Sequence, residues 1–199
     1  MNDMEYDMYA LGIMVVIVSF LGFVVENVSL AMTKGYINNR NMNAPFLLGY
    51  GLLVVCMYLV LGTPASMTGL RVAKKIKSAV AGYLLYFLCA FVIVSVGEIV
   101  LGTIVERMCH IEYWNYSNIP LHVTKYTSVP TSIAFAGMLT FFMGKCFVPL
   151  MGWISQMGGV CIQILSAVLV AILVWDFVVS FRHMIREKDF NMRWKISIK

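Results

Sequence analysis

Five long apolar runs constrain this chain more than any other feature. Residues 9–32, 45–62, 79–105, 127–142 and 157–181 are each of spanning or near-spanning length, for a hydrocarbon layer that takes ~20 apolar residues to cross. Lipid offers the backbone no hydrogen-bond partner, and segments of this length satisfy every N–H and C=O internally only as helices. The expected fold is an all-α polytopic bundle of about five transmembrane helices. Composition agrees: 60% of the 199 residues are hydrophobic and 13% charged, against roughly half apolar and a quarter charged in a soluble domain. The length suits one integral membrane domain, 1–199, with short connections and a basic tail, 182–199.

The net charge of +5 does not point to nucleic acid, because Lys and Arg fall between and after the apolar runs rather than along one stripe with interleaved aromatics. The start is acidic and lacks the basic leader of a signal peptide, so the first run is expected to stay in the protein. With the N-terminus outside, ten Lys and Arg lie inside, six of them in the tail, and five lie outside. That balance favours a multi-pass protein of a bacterial plasma membrane with a cytoplasmic C-terminus. Arg71, Lys74, Lys75 and Lys77 in the second connection run against it. The five cysteines are scattered without a CxxC pair, so neither a disulfide framework nor a metal site is expected.

Ionisable groups within membrane helices are costly and need a reason, which singles out Glu26, Glu98 and Asp176. Each lies toward the C-terminal end of its run, and in a five-helix serpentine those three helices point the same way. Helical spacing places Ser19, Gly22, Glu26 and Ser29 on one face, and Ser95, Glu98 and Gly102 on another. Two readings follow: a polar vestibule that takes a cation, a proton or a headgroup, or acids that pair with Lys34, Arg40 or Arg107 and lock the bundle. The connections after the first and third runs are dense in polar and aromatic residues. Asn39 and Arg40 stand out in one, and Trp114, Tyr116 and His122 in the other. Interfacial Trp and Tyr belts account for the aromatics on their own, while clustered Asn, Pro and Ser mark folded loops. Residues 25–30 also echo residues 97–101, as a parallel duplication of two-helix units would.

These residues resemble signatures of the ABC-transporter type IV family of CmpB-like permeases. Gly22 and Glu26 resemble its first-helix G-W-x-x-E motif. Asn39, Arg40, Pro45, Tyr50 and Gly51 resemble N-R-G-F-L-x-G-P-x-x-P-x-Y-G, and Trp114, Tyr116, Ser117 and Pro120 resemble W-D-Y-S-x-x-P-x-N-x-x-G. Glu98 matches an acidic helix position ahead of the third motif, and Trp175-Asp176 an acidic last helix. The chain departs from the pattern at Asn41 for Gly, Leu48 for the second Pro, Asn115 for Asp, His122 for Asn and Lys125 for Gly. The resemblance implies a transporter or permease component with a separate ATPase subunit as partner, and a chain this short is expected to assemble as a homo-oligomer to surround a pathway.

No ATPase is encoded here. Gly144-Lys145 is followed by Cys146 and lacks the earlier glycine of a phosphate-binding loop. An intramembrane lipid-modifying enzyme would need more than His110 or His122 beside an acid, since no nucleophile with an adjacent base is found. A non-enzymatic role without cofactor is expected. The remaining alternative is an accessory or sensory membrane protein recruited through the tail, itself a segment attracted to anionic lipid.

Overall fold

The computed structural model describes residues 6–67 and 78–198. The acidic residues 1–5, the basic Arg71, Lys74, Lys75 and Lys77, and Lys199 lie outside the described residues. The helical segments are α1 (Met8–Lys34), α2 (Leu48–Leu61), α3 (Ala79–Cys109), α4 (Val129–Phe141), α5 (Phe147–Gln156) and α6 (Val160–Glu187). Short strands are β1 (Tyr36–Asn38), β2 (His122–Thr124), β3 (Thr127–Ser128) and β4 (Lys195–Ser197).

α4 and α5 are one continuous helix, Val129–Gln156, joined by a π turn at Phe142–Cys146 in which the Phe147 N–H reaches back to Phe142 O. Pro149 follows directly, and its ring would crowd the carbonyl of Lys145 in a regular ladder; the widened turn relieves that clash. The helix therefore continues past the end expected near residue 142. Lys145, expected in a connection, sits in the π turn with its ammonium 6.0 Å from the centre of the Tyr83 ring. Gly144-Lys145 accordingly lies inside a helix rather than in a loop between a strand and a helix. Gly159, at φ 106°, makes the bend before α6, a conformation open to glycine alone at no cost. Four helices among the described residues are long and apolar enough to cross a membrane: α1, α3, Val129–Gln156 and α6. The fold is an all-α polytopic bundle.

The chain forms two compact units, Met1–Cys56 with Pro149–Lys199, and Met57–Val148. In the first, α1 and α6 run parallel. Near their starts Ser166 Oγ donates to Tyr9 O at 2.8 Å, and beyond their ends β1 pairs with β4. Val15, Val16 and Leu173 form an apolar core joined by Phe46, Leu48, Val55, Leu169 and Val170. α2 runs antiparallel to α1, with Tyr50 against Gly22 and Gly51 against Val15. The approach is so close that a Cβ on Gly51 would lie 2.3 Å from Val15 O. The Leu47 N–H donates to Ser19 O at 2.9 Å, which sets the start of α2 beside the middle of α1.

α2 has 14 residues, about 21 Å at the helical rise, less than the ~30 Å of a hydrocarbon core. Non-helical residues 39–47 precede it and hydrogen-bond to both α1 and α6, as irregular backbone must if it is to enter a membrane. The Asn38 N–H donates to Asn27 Oδ1 at 2.8 Å, and the Asn43 and Ala44 N–H groups donate to Asp176, each at 3.0 Å.

In the second unit α3 and α4 are antiparallel. Thr127, just before α4, meets Glu98 late in α3. Gly144 at the far end meets Tyr83 early in α3, whose hydroxyl donates to Gly144 O at 3.0 Å.

Candidate functional site

In the first unit the site grows from the last turns of α1. Gly22 leaves a notch that Tyr50 fills, a Cβ there falling 2.4 Å from Tyr50 Cγ. One turn on, Glu26 accepts from Tyr50 Oη at 2.7 Å and from Arg40 Nη2 at 2.8 Å. The ion pair is largely shielded, with 16% of the Arg40 and 26% of the Glu26 side chain exposed. Arg40 reaches it from a tight turn in which Arg40 and Asn41 are both left-handed, at φ 47° and 63°, and the Arg40 N–H is held by Asn38 Oδ1 at 2.9 Å. Asn tolerates that region better than other side chains. This explains how Asn41 replaces the glycine of the resembled motif without undoing the turn.

Asp176 faces the next stretch. It accepts from the Asn43 and Ala44 backbone and, at 2.7 Å, from Asn43 Nδ2. The tail closes the cluster. Asn39 Nδ2 donates to Asn191 O at 2.7 Å, Asn191 Nδ2 donates to Asn41 O and Asn43 Oδ1 at 3.2 Å each, and the Arg193 N–H donates to Asn39 Oδ1 at 3.2 Å. Glu26, Asn39, Arg40 and Asp176 thus belong to one contiguous polar region around the broken second span.

In the second unit Glu98 accepts from Thr127 Oγ1 at 2.7 Å, with Ser132 Oγ at 3.4 Å. Trp114 Nε1 donates to Tyr126 O at 2.9 Å, its ring edge-on to that of Tyr126 at 6.2 Å. The His122 side chain is exposed, with Nδ1 3.1 Å from Ile119 O, and the residue pairs with Ser128 across the β2–β3 ladder. Tyr116 is half-buried, and its backbone N–H donates to Lys125 O at 2.7 Å. Of these four, Trp114 and Tyr116 brace the loop against Lys125 and Tyr126, Glu98 sits deeper on the α4 entrance, and His122 stands apart.

Residues beyond the expected set complete both clusters. Tyr126 packs on Gly102, where a Cβ would meet its Cδ1 at 2.4 Å, and its hydroxyl donates to Glu106. Lys125 Nζ bridges Glu106 at 2.5 Å and Glu112 at 3.0 Å. Each unit therefore repeats one device: Gly-x-x-x-Glu on a helix, a tyrosine from the next element laid over the glycine with its hydroxyl on the glutamate, and a loop cation on the same carboxylate. The counterpart of Glu26 is Glu106, eight residues beyond the Glu98 that the sequence echo suggests. The identical spacing of Gly22 to Glu26 and Gly102 to Glu106 is the signal that could have found it. Outside the helices, hydrogen bonds from Asn115 and then Lys125 hold the Glu112 carboxyl below its ordinary range. Those to Glu106 and Glu112 push the Lys125 ammonium up.

No curated protein and no solved structure matches the chain. A family model described as Putative ABC-transporter type IV matches residues 13–181, a span that takes in the broken second segment and both Gly-x-x-x-Glu devices. The chain is a membrane protein of transporter type, and it belongs to that family.

Proposed function

We propose that this protein is the membrane-embedded permease component of a transporter, acting as a homo-oligomer with a separate ATPase subunit and carrying no catalytic chemistry of its own. Its place in this reading is a bacterial plasma membrane, with the tail and first loop in the cytoplasm. The groups that bind a polar solute or coupling ion are Glu26, Asn39, Arg40 and Asp176 in the first unit, and Glu98, Trp114, Tyr116 and His122 in the second.

The observation that carries the reading is the broken second span. Residues 39–47 put irregular polar backbone beside the Glu26–Arg40 pair and between two helices long and apolar enough to span, and transporters use interrupted helices of this kind at their substrate sites. Opening the site would separate Arg40 and Tyr50 from Glu26 and expose a carboxylate to the solute. The test is flux into proteoliposomes by wild type, Glu26→Gln and Glu98→Gln. Solute or ion movement that either substitution abolishes, with the fold intact, supports the proposal; equal flux in all three overturns the role of the acids.

One observation favours a second reading, that of an accessory protein without its own substrate. Glu26, Glu98 and Asp176 all accept hydrogen bonds from their own chain, as fasteners would. On that reading the same substitutions lower the unfolding midpoint and no flux is seen with wild type.

A further inference from the structure

The tail beyond α6 alternates with period two: Met192, Trp194, Ile196 and Ile198 against Arg193, Lys195 and Ser197. Its central part is β4, paired antiparallel with β1 so that Ile196 faces Ile37 and Ser197 faces Tyr36. Facing residues of a ladder share a side. One side of this ribbon is therefore apolar, with Ile37, Trp194, Ile196 and Ile198, and the other carries Tyr36, Asn38, Lys195 and Ser197. Lys195 Nζ lies 4.0 Å from the centre of the Tyr36 ring on that polar side. The apolar side is not buried, since Trp194, Ile196 and Ile198 are 40%, 56% and 48% exposed. Water is a poor solvent for such a face.

We propose that this ribbon is a docking surface for a bilayer leaflet rich in anionic lipid, lying flat with its apolar side at the acyl boundary and its cations among the headgroups. Position and charge choose lipid over a protein partner. β1 begins one residue past the end of α1, a membrane-spanning helix, and Ile198 N–H donates to Gly35 O at that helix end. Trp194 meets Phe23 of α1 edge-on at 6.4 Å, making the ribbon's apolar side continuous with a lipid-crossing helix. Exposed Arg193 and Lys195 belong to this segment, and exposed Arg186 and Lys188 lie at the end of α6 just before it, a combination of basic and apolar residues that binds anionic interfaces. β4 lies beyond the family match. Through Asn191 and Arg193 the ribbon is tied to Asn39, Asn41 and Asn43, so the leaflet would grip the mouth of the broken span.

The test uses the full chain in nanodiscs, with the five native cysteines replaced by Ala and single spin labels at positions 195, 196, 197 and 198. In anionic lipid, oxygen access should dominate at 196 and 198, and access to a water-soluble nickel complex at 195 and 197. Removing a cation by Lys188→Gln or Arg193→Gln should weaken partitioning at 196 about fivefold each. Nickel access at all four positions overturns the proposal. So does exclusion of both reagents at 196 and 198, which would place a protein on this face. Alternation that ignores lipid charge overturns the anionic preference. If the cysteine-free chain fails to fold, hydrogen exchange of residues 192–198 in the native chain decides, with slower exchange in anionic than in neutral nanodiscs expected and equal exchange fatal.

Discussion

Asp176 is the acceptor on which the broken span depends, and replacing it with Ala isolates that dependence. The carboxylate is 7% exposed and serves two backbone donors, the N–H groups of Asn43 and Ala44, besides the Asn43 amide. In Asp176→Ala those two part-buried N–H groups lose their acceptor, at about 1–3 kcal/mol each where water stays excluded, so up to about 6 kcal/mol of stability is lost. Asp176→Asn keeps one oxygen and turns an NH2 group toward the other donor, so the loss falls to about 1–3 kcal/mol. Against a typical stability of about 5–15 kcal/mol, either change is large. Reversible unfolding in mixed micelles followed by circular dichroism reads the total. Cleavage by trypsin after Arg40 reads the local event, because that turn becomes accessible once residues 39–47 detach. If Asp176→Ala unfolds within about 0.5 kcal/mol of wild type and Arg40 stays protected, the argument that this acid holds the irregular backbone is wrong.

Gly22→Ala should force the Tyr50 ring from its notch and break the bond to Glu26, costing about 1–3 kcal/mol as overpacking does; Gly49→Ala, with nothing within 4 Å of its Cβ, is the control and should be neutral or stabilising in the same unfolding assay. Gly102→Ala should have the matching effect at Tyr126, read as faster proteolysis of residues 110–126, and unchanged proteolysis would break the parallel between the two devices. The folded Glu112 carboxyl titrates lower than the unfolded one, so its contribution is present above the unfolded value near ~4.3 and fades as pH falls through the folded one. Hydrogen exchange of that loop should quicken below about pH 4, and Glu112→Gln should flatten the profile.

The membrane architecture is legible because hydrocarbon leaves a chain few options: apolar runs at Met8–Lys34, Ala79–Cys109 and Val160–Glu187 have one way to satisfy their backbones. Length alone misleads at two places. Pro149 and the neighbouring glycines look like a break, yet one widened turn absorbs the proline. Residues 45–62 look like a weak span because α2 is short and is preceded by backbone whose partners, Asp176 and Asn191, lie far along the sequence. Glu26, Arg40 and Asp176 stand out as costly charges, but local spacing cannot say which donor reaches which acid. Tyr50 enters the sequence reading only through the family motif, and Glu106 lies close enough to its helix end to pass for a solvated residue. The second device becomes visible only when glycine spacing, rather than similarity of the flanking apolar residues, is compared.

The long reach of these contacts also fixes an order of events during synthesis. Asn43 and Asp176 are 133 residues apart, which a ribosome adding about 5–20 residues per second covers in about 7–27 s. For that interval the first loop has none of its distant acceptors, so it must wait in water or headgroups while α1 is already threaded. Until α6 arrives the loop has only its nearby partners, Glu26 and Ser19, and Asn191, later still, adds the last ties to it. A chain stalled before residue 176 would hold its first loop by those nearby contacts alone.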